Sequence, residues 1–178
     1  MKDLKPLIEK MDFSVQEIVE LLDSSESEDL NMIMEKAYSV KNRIMGEKIY
    51  LRGLIELSNY CNCNCLYCGI RKDNDKVERY IIEDEEVIKI VRFALRKKLN
   101  GIVIQAGEIR SKEFTGKITS LIKRIKAVAG EQFRITLSLG EQSSKVYKEW
   151  FEAGASRYLL RIETTNESLF RKIHPAGG

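Results

Sequence analysis

The sequence predicts an α/β protein, a parallel (βα) barrel of which only the first four βα units are present, preceded by an N-terminal helical extension. Short β-rich apolar runs alternate with amphipathic helical stretches, and parallel neighbours can be joined only through such long return connections. Most helical stretches stop at a glycine, where a chain can turn sharply. Each β-rich run ends on polar or metal-binding residues, and reacting groups collect at strand ends in parallel α/β folds.

Residues 1–47 form the helical extension and residues 48–178 the half barrel. In the extension, Ser14 followed by Glu17 fits a capping box, and Leu30, Ile33, Met34, Ala37, Val40 and Ile44 recur at helical spacing until Gly46. Ile49 to Ser58 then reads as the first strand, and the cysteine-dense stretch Asn59 to Arg71 is too polar to continue it. A helix from Asp84 to Lys98 places Val87, Val91, Ala94 and Leu95 on one face and leads to the strand Ile102 to Ala106. The next helix collects Ile118, Leu121, Ile122, Ile125 and Val128, stops at Gly130 and feeds the strand Phe133 to Leu139. A further helix carries Val146, Tyr147, Trp150 and Phe151, ends near Gly154 and precedes the strand Arg157 to Arg161. The strand ends are thus the cysteine loop, then Gly107 and Glu108, then Ser138 to Glu141, then Arg161 and Glu163, and they face a common mouth.

With 43% hydrophobic and 32% charged residues the chain has the material for one real core, which excludes a disordered or low-complexity protein. Its 30 basic and 27 acidic residues are interspersed, without the basic block of a nucleic-acid binder, so no nucleic acid is expected as partner. The first residues carry a charge every few positions and lack the apolar run of a signal peptide or membrane span. The expectation is a soluble, cytoplasmic protein with no membrane partner.

All four cysteines lie between Cys61 and Cys68, which argues for a metal or cluster site rather than a disulfide framework. Cys61, Cys65 and Cys68 follow the spacing Cys-x3-Cys-x-aromatic-Cys. Three thiolates on one short loop can each bind one iron of a 4Fe-4S cube and leave the fourth iron open to a small molecule. A zinc site is the main alternative, but zinc usually draws ligand pairs from well-separated segments. A redox pair Cys65-x-x-Cys68 would leave Cys61 unexplained. Arg161 and Glu163, two apart on a strand end, point the same way and suit a polar clamp, although a simple ion pair is also compatible. His174, the only histidine, lies at a helix terminus and suits a surface or capping role.

The cysteine loop after the first strand resembles the signature of the radical S-adenosylmethionine (SAM) superfamily. The resemblance implies a 4Fe-4S cluster on Cys61, Cys65 and Cys68 whose open iron binds SAM, which is cleaved to a 5'-deoxyadenosyl radical. It implies no role for Cys63. It places Tyr67 beside the adenine, where a packed loop aromatic is equally compatible with the residue type. Ala106-Gly107-Glu108 stands where the superfamily carries Gly-Gly-Glu, so Gly107 would allow close backbone approach and Glu108 would accept the SAM ammonium.

Within the superfamily, LSNYCNCNCLYCGIRKDN, IVIQAGE, TLSLGE and RYLLRIETTNESLFRKIHP resemble the HydE-type maturases of FeFe-hydrogenase, with methylornithine synthase and biotin synthase as more distant relatives. By that resemblance Gln105, Ser138, Glu141, Arg161 and Glu163 line the SAM and substrate cavity, with Arg161 and Glu163 as catalytic residues. The partners implied are a small-molecule or organometallic substrate, an electron donor and other hydrogenase maturation proteins. A carbon-skeleton rearrangement, a sulfur insertion or a non-catalytic metal-binding fragment are the alternatives. Ile162 departs from members with a polar residue between the Arg and the Glu. The sequence also stops after His174-Pro175 where that family continues through four further strands, so a fragment with an uncovered sheet edge is expected.

Overall fold

A computed structural model describes residues 4–175, which divide between Ile49 and Tyr50 into two compact units. The first unit holds α1 (Lys5–Ile8), α2 (Val15–Leu22) and α3 (Ser27–Met45), of which α1 and α3 pack together. Ser14 caps α2 through a reciprocal capping box with Glu17, and α3 ends at Gly46, whose φ of 69° lies in the left-handed region.

The second unit is a four-stranded parallel sheet in the order β1-β2-β3-β4, from β1 (Gly53–Ser58), β2 (Gly101–Ala106), β3 (Arg134–Ser138) and β4 (Arg157–Tyr158). Each strand is followed by a helix: α4 (Asp84–Arg96), α5 (Lys112–Ala129), α6 (Ser144–Ala153) and α7 (Glu167–Ile173). Ile102, Ile104, Ile135 and Leu137 are fully buried and lie in one core with Val87 and Val91 of α4, Ile118, Leu121, Ile122 and Ile125 of α5 and Trp150 of α6. Burying one such side chain contributes about 1.5–3 kcal/mol, so this layer anchors the unit. Because side chains alternate along a strand, burying Ile102, Ile104, Ile135 and Leu137 against the helices turns Gln105 and Ser138 to the opposite face. Glu56, Gln105 and Ser138 pair in register and form a polar row across three strands.

Three strands are shorter than the sequence suggests, β3 by one residue at each end and β1 and β4 by more. Ile49 to Arg52 lie outside β1, because the pairing begins at Gly53 opposite Ile102 and leaves them no neighbour. β4 is two residues long: Leu159 N–H still donates to Leu137 O at 2.8 Å, but Gly140, with φ 72°, then turns the chain beyond β3 aside. Arg161 and Glu163 therefore sit on a segment beyond β4 rather than on a strand, and strand alternation does not fix their direction. Phe151, placed by periodicity on the apolar face of α6, is 71% exposed; Trp150 beside it is the residue that enters the core. Leu160 and Ile162, on the segment that follows β4, are exposed. Among the described residues no helix is long and apolar enough to cross a membrane.

Candidate functional site

The carboxyl ends of all four strands open into one cavity of about 380 Å3. The loop after β1 brings Cys61, Cys65, Cys68 and Tyr67 to it, together with Cys63. β2 and its continuation supply Gln105, Gly107 and Glu108, β3 and its loop supply Ser138 and Glu141, and the segment after β4 supplies Arg161 and Glu163. Every candidate site residue named from the sequence thus lines the same cavity.

The cysteine loop is held by its own polar groups. Asn59 Nδ2 donates to Glu78 O at 2.7 Å and its Oδ1 accepts from Tyr80 N–H at 2.8 Å, which closes the loop at its base. Asn64 and Asp73 bond reciprocally, and Lys72 N–H donates to Cys63 O at 2.9 Å. The Arg79 guanidinium donates to the carbonyls of Asn59, Ile70, Arg71 and Asn74 within 3.0 Å, so one cation gathers both limbs of the loop.

All four cysteines are half-buried free thiols. Cys61 Sγ accepts from the amides of Cys63 at 3.4 Å and Glu108 at 3.3 Å. Backbone amides aimed at a cysteine sulfur on a loop that carries three more thiols fit an iron–sulfur cluster. The Cys63 thiol behaves differently: burial, reinforced by the Glu108 carboxylate and Cys61, pushes it up to about 12. It stays protonated at neutral pH. Burial also raises Cys65. Among the described residues no three His, Cys, Asp or Glu side chains converge on a single metal ion.

Gly107 sits where β2 meets the cysteine loop, and a Cβ there would lie 2.3 Å from Tyr60 O and 2.6 Å from Cys61 Cβ. Only glycine permits that approach. It delivers Glu108, whose side chain is 14% exposed and accepts from Glu141 N–H at 2.7 Å through Oε2. Arg110 Nη2 lies 2.6 Å from Glu108 Oε1 and 3.3 Å from Glu141 Oε2. Gln105 Nε2 donates to Glu56 Oε1 at 3.2 Å. Arg161 and Glu163 both line the cavity, and among the described residues they form no ion pair with each other.

His174, assigned from sequence a surface or capping role, also lines the cavity. Its Nδ1 lies 3.0 Å from Phe170 O and its Nε2 2.8 Å from the Tyr67 hydroxyl. Sequence reasoning did not single out Glu56, Arg79 or Arg110. For Arg110 a signal exists, since it stands two residues past Glu108 as Glu163 stands two past Arg161; for Arg79 there is none, because its partners are backbone carbonyls.

Residues 55–178 match the radical SAM superfamily, and the chain belongs to that superfamily. Superfamily membership implies a 4Fe-4S cluster and SAM. Among individual relatives, the chain is 34% identical to the [FeFe] hydrogenase maturase subunit HydE of Thermotoga maritima over 98% of its own length and 49% of that protein's. It is 24% identical to 3-methylornithine synthase of Methanosarcina acetivorans, over 94% of this chain and 47% of that one. The FeFe-hydrogenase maturase HydG from Carboxydothermus hydrogenoformans shares the fold, with a TM-score of 0.86 at 23% identity, covering 98% of this chain and 40% of that one. The chain spans about half the length of the curated relatives it matches.

Proposed function

We propose that this chain is the cluster-bearing part of a HydE-type radical SAM maturase, acting in assembly of the FeFe-hydrogenase active site. The observation that carries the reading is the convergence of Cys61, Cys65 and Cys68 with Glu108, Arg161 and Glu163 around one cavity at the strand ends. The identity of 34% to a HydE over nearly the whole chain supports the subfamily.

In this reading Cys61, Cys65 and Cys68 hold a 4Fe-4S cluster, which when bound supplies the electron that cleaves SAM reductively. Cys63 keeps its proton and is not a ligand. Gly107 lets β2 approach the cysteine loop, and Glu108 receives an ammonium. Tyr67 flanks the adenine, while Gln105, Ser138 and Glu141 complete the polar wall. Arg161 and Glu163 bind and orient a small-molecule or organometallic substrate. An external electron donor and other hydrogenase maturation proteins are the partners. The test is anaerobic reconstitution with iron and sulfide, followed by addition of SAM and a strong reductant. The expected results are a reduced-cluster paramagnetic signal that changes with SAM, and release of 5'-deoxyadenosine. A holoprotein with an intact cluster that does neither would overturn the reading.

A further inference from the structure

The Glu108 carboxylate owes its direction to the loop that follows β3. Glu141 N–H donates to its Oε2 at 2.7 Å, and Gly140 stands so close that an added Cβ would come within 2.4 Å of Glu108 Cβ and 2.6 Å of its Oε2. That loop is fixed in turn by two phenols. The Tyr158 hydroxyl of β4 donates to Gly140 O at 2.6 Å and accepts from Leu139 N–H at 3.3 Å. The Tyr147 hydroxyl of α6 accepts from Gln142 N–H at 2.9 Å, and Gln142 Nε2 donates to Ile109 O and Leu139 O, both at 3.1 Å. Neither Tyr147 nor Tyr158 is among the residues that line the cavity. Tyr158 lies instead against the core, stacked on the buried Trp150 at 6.1 Å and edge-on to Tyr147 at 4.8 Å. Burial pushes its phenol up, so it stays a neutral hydroxyl able to donate.

We propose that Tyr158 is a positioning residue: it holds the Gly140–Glu141 peptide with its N–H toward Glu108 and thereby sets the aim of that carboxylate from outside the cavity. One peptide unit makes the link. The oxygen that Tyr158 grips and the N–H that Glu108 receives belong to the same planar amide, so fixing one end fixes the other. A donor on the carbonyl also polarises the amide and strengthens its N–H as a donor. Gly140, at φ 72°, supplies no side chain to resist rotation of that amide. Without the hydroxyl the peptide can flip, and its carbonyl oxygen then faces a carboxylate that repels it. Glu108 is left to Arg110, its ion-pair partner. The inference rests on the reading of Glu108 as the group that receives an ammonium.

The test is anaerobic equilibrium dialysis of SAM against the reconstituted holoprotein, comparing wild type, Tyr158→Phe, Glu108→Ala and the double variant at matched iron content. Tyr158→Phe keeps the stacked ring and loses only the hydroxyl. It should weaken SAM about two- to tenfold, the range for one hydrogen bond. In the Glu108→Ala background the same change should have almost no effect, because no carboxylate remains to be aimed. Equal weakening in both backgrounds, or unchanged affinity in Tyr158→Phe, would overturn the proposal. Hydrogen exchange on the iron-free chain gives a second readout that does not depend on loading. Tyr158→Phe should expose the Glu141 amide while the amides of β2 and β3 keep their protection. Unchanged protection at Glu141 refutes the link, and loss of protection throughout both strands assigns the hydroxyl to the fold instead. If wild type with an intact cluster binds no SAM, or Glu108→Ala binds it as wild type does, the reading of Glu108 fails and the inference falls with it.

Discussion

The Tyr67 hydroxyl and His174 Nε2 stand 2.8 Å apart, across 107 residues of sequence. A carbonyl can only accept, so the contact of His174 Nδ1 with Phe170 O places the ring proton on Nδ1. Nε2 is then the acceptor and Tyr67 the donor. Leu66 N–H donates to Ile173 O at 2.9 Å beside it, and the end of α7 is fastened to the loop between Cys65 and Cys68 by both bonds.

Replacing His174 with Ala should therefore loosen the cysteine loop without removing a ligand. Such a bond contributes about 0.5–1.5 kcal/mol, and SAM affinity should fall about three- to tenfold while iron content holds. Hydrogen exchange at the Leu66 amide is the direct readout; unchanged protection together with unchanged affinity would sink the idea.

The cysteines should separate into three and one. Cys63→Ser should retain iron, sulfide and SAM cleavage, whereas Cys61→Ser, Cys65→Ser or Cys68→Ser should each destabilise or abolish the cluster. Metal analysis and anaerobic absorption spectra decide the matter. Loss of the cluster from Cys63→Ser would indicate a closed four-ligand site.

The Cys63 thiol should also show its environment in the iron-free protein. Its pKa is raised to about 12, so the folded state holds the proton more tightly than the unfolded chain. The associated stability is present below the ordinary thiol value of 9.0 and is lost as pH rises towards 12. Between those limits alkylation at Cys63 should lag behind a free cysteine, as read by peptide mass mapping; labelling at the free-cysteine rate would refute the assignment.

Arg79 should be irreplaceable by lysine. A single ammonium cannot span carbonyls on both limbs of the loop, so Arg79→Lys should cost about 3 kcal/mol in local stability and reduce cluster occupancy. Full iron content with wild-type thermal unfolding would count against the clamp.

Arg161→Ala and Glu163→Ala should leave the cluster intact while lowering 5'-deoxyadenosine formation or substrate turnover, because both residues line the cavity and neither belongs to the proposed ligand set. Iron content and product yield are measured on the same sample. Loss of both with general unfolding would assign them a structural role instead.

The βα alternation was legible because burial imposes a period on both element types, and Val87, Val91, Ile102, Ile104, Ile118 and Trp150 sit where that period puts them. The cavity's polar wall was legible because strand ends in a parallel sheet share one side. The length of β4 was not, since it depends on how far β3 and β4 stay paired, a fact of pairing rather than of composition. Nor was the place of His174: a contact across the sequence leaves no local pattern, and the residue type alone favours a helix end. Arg79 escaped for the related reason that carbonyl partners carry no sequence signature.

The bond from Leu66 to Ile173 also has a direction in time. A ribosome releases the cysteine loop long before α7, so a nascent chain that has emerged only through β3 carries its four thiols on a loop still missing its last fastening. Iron delivered at that stage would meet a loop held by Asn59, Asn64 and Arg79 but not by α7, and iron delivered after Ile173 has emerged would meet the same loop with α7 fastened to it. A ribosome stalled between β3 and α7 should therefore yield chains that load iron less well than finished ones.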